Sequence, residues 1–143
     1  MTEYKNKATE VIGEAKEQKI REKIADDRIR DNPPKNNEVI ITNKGETLFY
    51  ETISGRYFKC DIELVRRADN ELNRNMRSDV QISVNDLYMQ LGLPITSSVN
   101  DDIGWDIEYG YIEFIFSAHM SEDDQPCIAI DYRKPPKPLN KIA

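Results

Sequence analysis

Histidine is almost missing from this chain. His119 is the only one in 143 residues, and it is accompanied by two cysteines and one tryptophan. Metal and nucleophile chemistry draws on clusters of histidine, cysteine and carboxylate, so a single imidazole limits what can be built. Cys60 and Cys127 stand far apart and fit neither a zinc spacing nor a C-x-x-C pair. Both are expected to be reduced thiols that pack as small apolar groups. There is no glycine-rich phosphate loop, no G-x-G-x-x-G and no G-x-S-x-G elbow. No apolar run approaches the roughly 18–20 residues that cross a bilayer. Residues 1–19 are charged throughout and lack the apolar centre of a signal peptide. These absences exclude the familiar enzyme, metal, cofactor and membrane-span signatures and point to a non-enzymatic protein.

Cations are missing from one long stretch. Ser78 to Tyr132 contains no lysine or arginine, yet it holds Asp79, Asp86, Asp101, Asp102, Asp106, Glu108, Glu113, Glu122, Asp123, Asp124 and Asp131, a net charge of −11. The first 77 residues are nearly balanced at +1, and the cations from Arg133 onward bring the whole chain to −6. Like charges at this density repel one another, and one physical use for them is to meet a strongly basic partner.

What is present reads as an α+β protein. Residues 1–30 form a long charged helix whose thin apolar stripe is Tyr4, Ala8, Val11, Ile12, Ala15, Ile20 and Ile24. A stripe this sparse needs a partner surface, which makes self-association through this helix an expectation. Residues 31–37, with Pro33 and Pro34, read as a linker. The α+β domain then spans 38–133. Val39–Thr42, Thr47–Thr52 and Arg56–Lys59 are expected to form a small antiparallel meander, with turns at Asn43–Glu46 and Ser54-Gly55. Asp61 caps a helix whose core side is Ile62, Val65, Ala68, Leu72 and Met76. Ser83 and Asp86 form a capping box on a second helix, with Val84, Leu87, Tyr88 and Leu91 buried and Gly92 and Pro94 as its stop. Residues 95–104 read as an acidic loop ending at a docked Trp105. Tyr111–Ala118 alternates as a strand, with Ile112, Phe114 and Phe116 on one face. Met120–Pro126 is a loop, and Cys127–Tyr132 completes a C-terminal hairpin. Residues 134–143, rich in proline and lysine, are expected to be an extended, mobile tail.

The remaining candidates for chemistry are weak. His119 at a strand end reads as a packing or surface residue. Asp101-Asp102 and Glu122-Asp123-Asp124 lack the spacing of a calcium loop and read as solvated carboxylates. Asp106 and Glu108 have no lysine beside them to complete a nuclease-like set. Arg66, Arg67, Arg74 and Arg77 share the polar side of the 61–77 helix, but Glu63 and Glu71 lie among them. A solvated face, with Glu63 pairing with Arg67, is preferred there to a phosphate grip.

Several short stretches carry a family likeness: Glu46-Thr-Leu-Phe-Tyr-Glu, Ser54-Gly-Arg-Tyr-Phe, Glu71-Leu-Asn-Arg-Asn, Asn85-Asp-Leu-Tyr-x-x-Leu-Gly-Leu-Pro and Gly104-Trp. In their order, over about residues 3–132, the chain resembles a domain-of-unknown-function family met in phages and prophages of Gram-positive gut bacteria. Members often carry hydrophobic segments before the charged helix, and this sequence shows none. The resemblance implies a phage setting, hence the cytoplasm of an infected bacterial host, and no assigned activity. The functional expectation is therefore an anti-CRISPR-like binding module. It would inhibit or modulate a host factor, probed first as a basic nucleic-acid-binding defence effector, through Asp101, Asp102, Glu122, Asp123 and Asp124. It would not bind nucleic acid directly. The alternative is a structural or assembly component of a virion.

Overall fold

The apolar spacings above become elements wherever a second layer covers them. The computed structural model describes residues 2–31, 39–41, 47–120 and 124–139, with side chains from Ala15 onward. The order is α1 (Thr2–Asp31), β1 (Ile40–Ile41), β2 (Thr47–Glu51), β3 (Arg56–Cys60), α2 (Ile62–Asp79), β4 (Gln81–Ser83), α3 (Val84–Leu91), β5 (Ile103–Asp106), β6 (Phe114–Met120), β7 (Pro126–Tyr132) and β8 (Lys137–Pro138). A 3₁₀ turn lies at Ser98–Asp101. Apart from Asp31, the expected linker 31–37 lies outside the described residues, as does the turn Asn43–Glu46.

The local helix chemistry is as the sequence indicates. The Asp61 side chain accepts the Glu63 amide at 2.9 Å, and Val65, Ala68, Leu72 and Met76 are buried. Ser83 Oγ accepts the Asp86 amide while Asp86 accepts the Ser83 amide, closing the capping box. Gly92 then takes the left-handed conformation that stops α3.

The strands depart from the expected antiparallel meander. β2 and β3 are antiparallel, running from Thr47↔Cys60 to Glu51↔Arg56. β1, however, lies on the far side of β3 and parallel to it, with Ile40 opposite Phe58. The β6–β7 hairpin is antiparallel as expected, but it joins the same sheet through a parallel β2–β7 pairing, Phe49↔Ile128 to Glu51↔Ile130. The result is a mixed five-stranded sheet in the order β1-β3-β2-β7-β6. The physical reason is the position of β2. Leu48, Phe49, Tyr50 and Glu51 are all buried, so β2 is a strand covered on both faces, and such a strand carries no alternation that reveals its neighbours.

One face of this sheet carries α2 and α3 around Phe49, Phe58, Leu72, Met76, Leu87, Tyr88 and Ile130. The other carries the end of α1, where Ala25 and Ile29 pack with Leu48, Tyr50, Tyr57, Cys127 and Ala129. Ile20 and Ile24 of the expected stripe are instead exposed.

A second sheet, β4-β5-β8, forms where an acidic loop and a mobile tail are expected. Ile82 pairs with Trp105 and Ser83 with Gly104, while Gly104 also pairs with Lys137. A Cβ on Gly104 would sit 2.0 Å from the Ile82 carbonyl oxygen and 2.8 Å from Ser83 Cα. Both obstacles are backbone and cannot turn aside. Gly104→Ala is therefore expected to split β4 from β5 and lower the melting temperature by about 10 °C, a loss of roughly 3 kcal/mol. A thermal melt followed by circular dichroism reads this directly, and an unchanged midpoint would show that the two strands are not so closely apposed.

Candidate functional site

Of the acidic residues singled out by sequence, Asp101, Asp102 and Asp124 are described, and Asp124 stands on a different element from the other two. Asp101 ends the 3₁₀ turn with one carboxylate oxygen turned inward, accepting the amide of buried Asn85 at 2.9 Å. The same amide donates to the Ser97 carbonyl at 3.0 Å. Asp102 is exposed, and its carbonyl accepts the Leu139 amide at 2.8 Å. Asp124 is exposed at φ +57° just before β7. Glu122 and Asp123 lie outside the described residues. β5 packs through Trp105 on Tyr132 at the end of β7, whereas Asp124 stands before its start. Seven strand residues, about 20 Å, separate those ends.

The tail then folds back onto the acidic half. Arg133 pairs with Glu113 at 3.1 Å and Lys137 with Asp106 at 2.9 Å. The Lys137 hydrogen bond, followed by the Tyr109 amide, holds the Asp106 carboxyl below the usual carboxylate range. Lys134 Nζ donates to the Tyr109 carbonyl, and the Trp105 indole donates to the Lys134 carbonyl at 2.9 Å. The Tyr109 hydroxyl donates to the Pro135 carbonyl at 2.8 Å. Residues 134–139 are thus extended, but they are tied to the domain. The charge segregation along the sequence is partly cancelled in space, and among the described residues Asp79, Asp101, Glu108 and Asp124 remain exposed without an ion pair.

On α2, Glu63 pairs with Arg66 at 3.2 Å and not with Arg67, and Arg77 lies over the Tyr111 ring. This is the solvated face expected of an exposed helix.

His119 is more engaged than its sequence position suggests. Its side chain is 5% exposed, with Nε2 2.6 Å from Ser117 Oγ and Nδ1 3.3 Å from Asp26 Oδ1 of α1. Serine, histidine and aspartate in line are the parts of an acyl-transfer triad. Chemistry would also need donors aimed at a developing oxyanion. Here Ser117 sits mid-strand opposite Ala129, and α1 covers the face that its hydroxyl occupies. What the arrangement does achieve is to tie α1 to the sheet. Cys127 is the cross-strand neighbour of His119, but burial pushes its thiol up to about 12, so it stays protonated. Among the described residues no group of three or more histidines, cysteines and carboxylates could hold a metal ion. No described helix is long and apolar enough to cross a membrane.

The family-like stretches supply polar contacts between elements, one of them fully buried. Glu51 is fully buried and accepts the amides of Ile53 and Ser54 at 2.8 and 2.7 Å and the Tyr132 hydroxyl at 2.8 Å. Arg56 lies over the Tyr88 ring, 4.7 Å from its centroid, and donates to the Pro94 carbonyl at 2.6 Å. Asn73 clamps Ile112, accepting its amide and donating to its carbonyl, both at 2.9 Å. These residues, the order of the stretches and the α+β frame belong together, and a family model described as a family of unknown function, DUF6353, matches residues 1–140. The chain belongs to that family. No curated protein and no solved structure matches it.

As the resemblance implied, the DUF6353 family carries no assigned activity. In this chain Glu51, Arg56, Asn73, Asn85, Gly104 and Trp105, from the stretches quoted above, hold elements together. The sequence gives little sign of the Ser117–His119–Asp26 line, because Asp26 is 93 residues from His119 and on another element.

Proposed function

We propose that this DUF6353 chain acts by binding another protein and not by catalysis. In its specific form it is a phage-encoded module that inhibits or modulates a host factor in the bacterial cytoplasm. A basic, nucleic-acid-binding defence effector is the partner whose chemistry suits it, as for an anti-CRISPR protein. The observation that supports the reading is the solvent exposure of carboxylates at two places in the acidic half. Asp124 is exposed just before β7 and follows Glu122 and Asp123 in sequence, and exposed Asp101 and Asp102 stand in the turn before β5. A long-range field from such groups speeds encounter with a basic surface and weakens as salt rises.

The test is capture of host proteins on the tagged chain, washed at rising salt. Capture of one basic protein is expected, weakening about tenfold or more when Glu122, Asp123 and Asp124 are all changed to lysine. Asp101→Lys is a poorer probe, since it also removes the acceptor of buried Asn85 at a cost of about 1–2 kcal/mol. Unchanged capture by the triple variant would remove the acidic mechanism.

A second reading, an assembly component of a virion, is favoured by α1. Its 30 residues span about 45 Å, while among its described side chains, from Ala15 onward, those that enter the core are Ala25 and Ile29. A defined oligomer in light scattering, with no host protein captured, would select it.

A further inference from the structure

Among the described residues the outer edge of β6 carries no neighbouring strand. β6 is an edge strand of the five-stranded sheet, seven residues long, and Phe114 to Met120 contains no charged residue and no proline. Natural edges are usually blunted by lysine, proline or a bulge, because bare strand edges recruit further strands.

The ladder fixes which backbone groups are free. The Arg133 amide donates to the Glu113 carbonyl at 3.0 Å, which makes 113 and 133 an exchanging pair. Exchanging and non-exchanging pairs alternate in an antiparallel ladder, so Ile115, Ser117 and His119 spend their backbone groups on β7. The N–H and C=O groups of Phe116, Ala118 and Met120 point away from the sheet. Phe114 would do the same, but its amide already donates to Asp69 at 3.3 Å. The side chains of the three free residues are exposed as well, Phe116 at 38% and Met120 at 56%.

We propose that two copies of this chain pair antiparallel through β6, with Ala118 opposite Ala118 of the partner copy on the two-fold axis. In this register Phe116 faces Met120 of the partner copy, and the same contact repeats by symmetry. The three outward residues of each strand are all used, giving about six backbone hydrogen bonds. Each exposed phenylalanine gains a thioether against its ring. A register centred on Ser117 would spend a bond on Phe114, whose amide is taken. The alanine pair at the centre leaves room for close approach, and the uncharged edge opposes no like charge.

α1 points the same way. Ile29 sits above Leu48, Tyr50 and Tyr57, whereas Ala15, Gln18 and Arg21 line a hollow with Glu113, Ile115 and Arg133 beside β6. The helix therefore crosses the sheet toward this edge, and Thr2–Glu14 continue beyond it for about 20 Å. In the pair, each overhanging helix lies over the other copy and enlarges a contact that a strand edge alone would leave small. The inference does not depend on the acidic reading or on any host protein.

Sedimentation equilibrium of the purified full chain tests it, with twice 16.6 kDa expected in the micromolar range. Ala118→Lys sets two lysines directly opposite each other, and Met120→Lys places a charge on each phenylalanine. Each is expected to raise the dimer dissociation constant about a hundredfold while leaving the melting temperature of the monomer within a few degrees. Ala118→Cys should oxidise to a linked dimer, since exchanging pairs hold their Cα atoms about 5.5 Å apart. Cys60 and Cys127 are buried and do not compete. A chain that is monomeric throughout that range overturns the proposal. So does a dimer that survives both lysine substitutions but is lost when residues 2–14 are removed, which would place the contact on α1 alone.

Discussion

Replacing Glu51 by alanine is expected to destabilise the domain by about 4 kcal/mol, enough to leave a large unfolded fraction in a protein of ordinary stability. The substitution removes little apolar area. It leaves the Ile53 and Ser54 amides and the Tyr132 hydroxyl without their acceptor at a site of zero exposure. An unmade buried hydrogen bond costs the full desolvation of its group, so the three add. Glu51→Gln keeps one acceptor oxygen but turns an NH2 toward the remaining donors, and about 2 kcal/mol is expected. Tyr132→Phe removes only one donor and should cost about 1 kcal/mol. Urea unfolding of the three variants gives the order directly. A Glu51→Ala chain as stable as the parent would mean that the carboxylate does not organise the turn between β2 and β3.

The second large effect is loss of stability in alkali. Burial pushes the Tyr88 hydroxyl up to about 12, with the Glu51 charge adding to it, and burial pushes the Cys127 thiol up to about 12. Burial also raises Tyr57, Tyr132 and Tyr50, in the last case against the Arg28 guanidinium. A phenol or thiol is neutral while protonated, so the folded chain holds these protons longer than the unfolded chain does. Unfolded, the thiol ionises near 9 and the phenols near 10. The stability these groups contribute is complete below those values and drains away as pH rises toward the folded ones. Each fully ionised unfolded-state group steepens the fall by about 1.4 kcal/mol per pH unit. Between pH 10 and 12 Tyr88 and Cys127 together remove on the order of 5 kcal/mol, and the chain is expected to unfold before pH 12. Unfolding free energies at pH 8, 10 and 11 should bend downward, and Tyr88→Phe should flatten the curve. A flat profile would show that these side chains reach solvent.

The amino-acid sequence by itself determined the parts of this protein whose physics is local. Asp61 as a cap, the Ser83–Asp86 box, the Gly92 stop and the five apolar positions of the 62–79 helix act within a turn or two of chain. They can be read without knowing what lies across the core. The β6–β7 hairpin belongs to the same class, as does the overall α+β character.

Tertiary structure alone decided the rest, because each remaining feature joins residues that are far apart in sequence. The parallel β2–β7 pairing aligns Phe49 with Ile128, and no periodicity within either strand names the other. The sheet β4-β5-β8 is made of strands of two to four residues, too short for alternation to show. Its last strand was legible only as a basic tail until Lys137 met Asp106. The acidic run of 78–132 reads as one charged surface in sequence. Folding separates Asp124 from Asp101, turns one Asp101 oxygen inward and brings Arg133 back to Glu113. Charge in a sequence adds along the chain, whereas charge in a fold is set by which groups come within reach of a partner. That difference is why the composition pointed to an acidic face and the packing exposed a bare strand edge at β6.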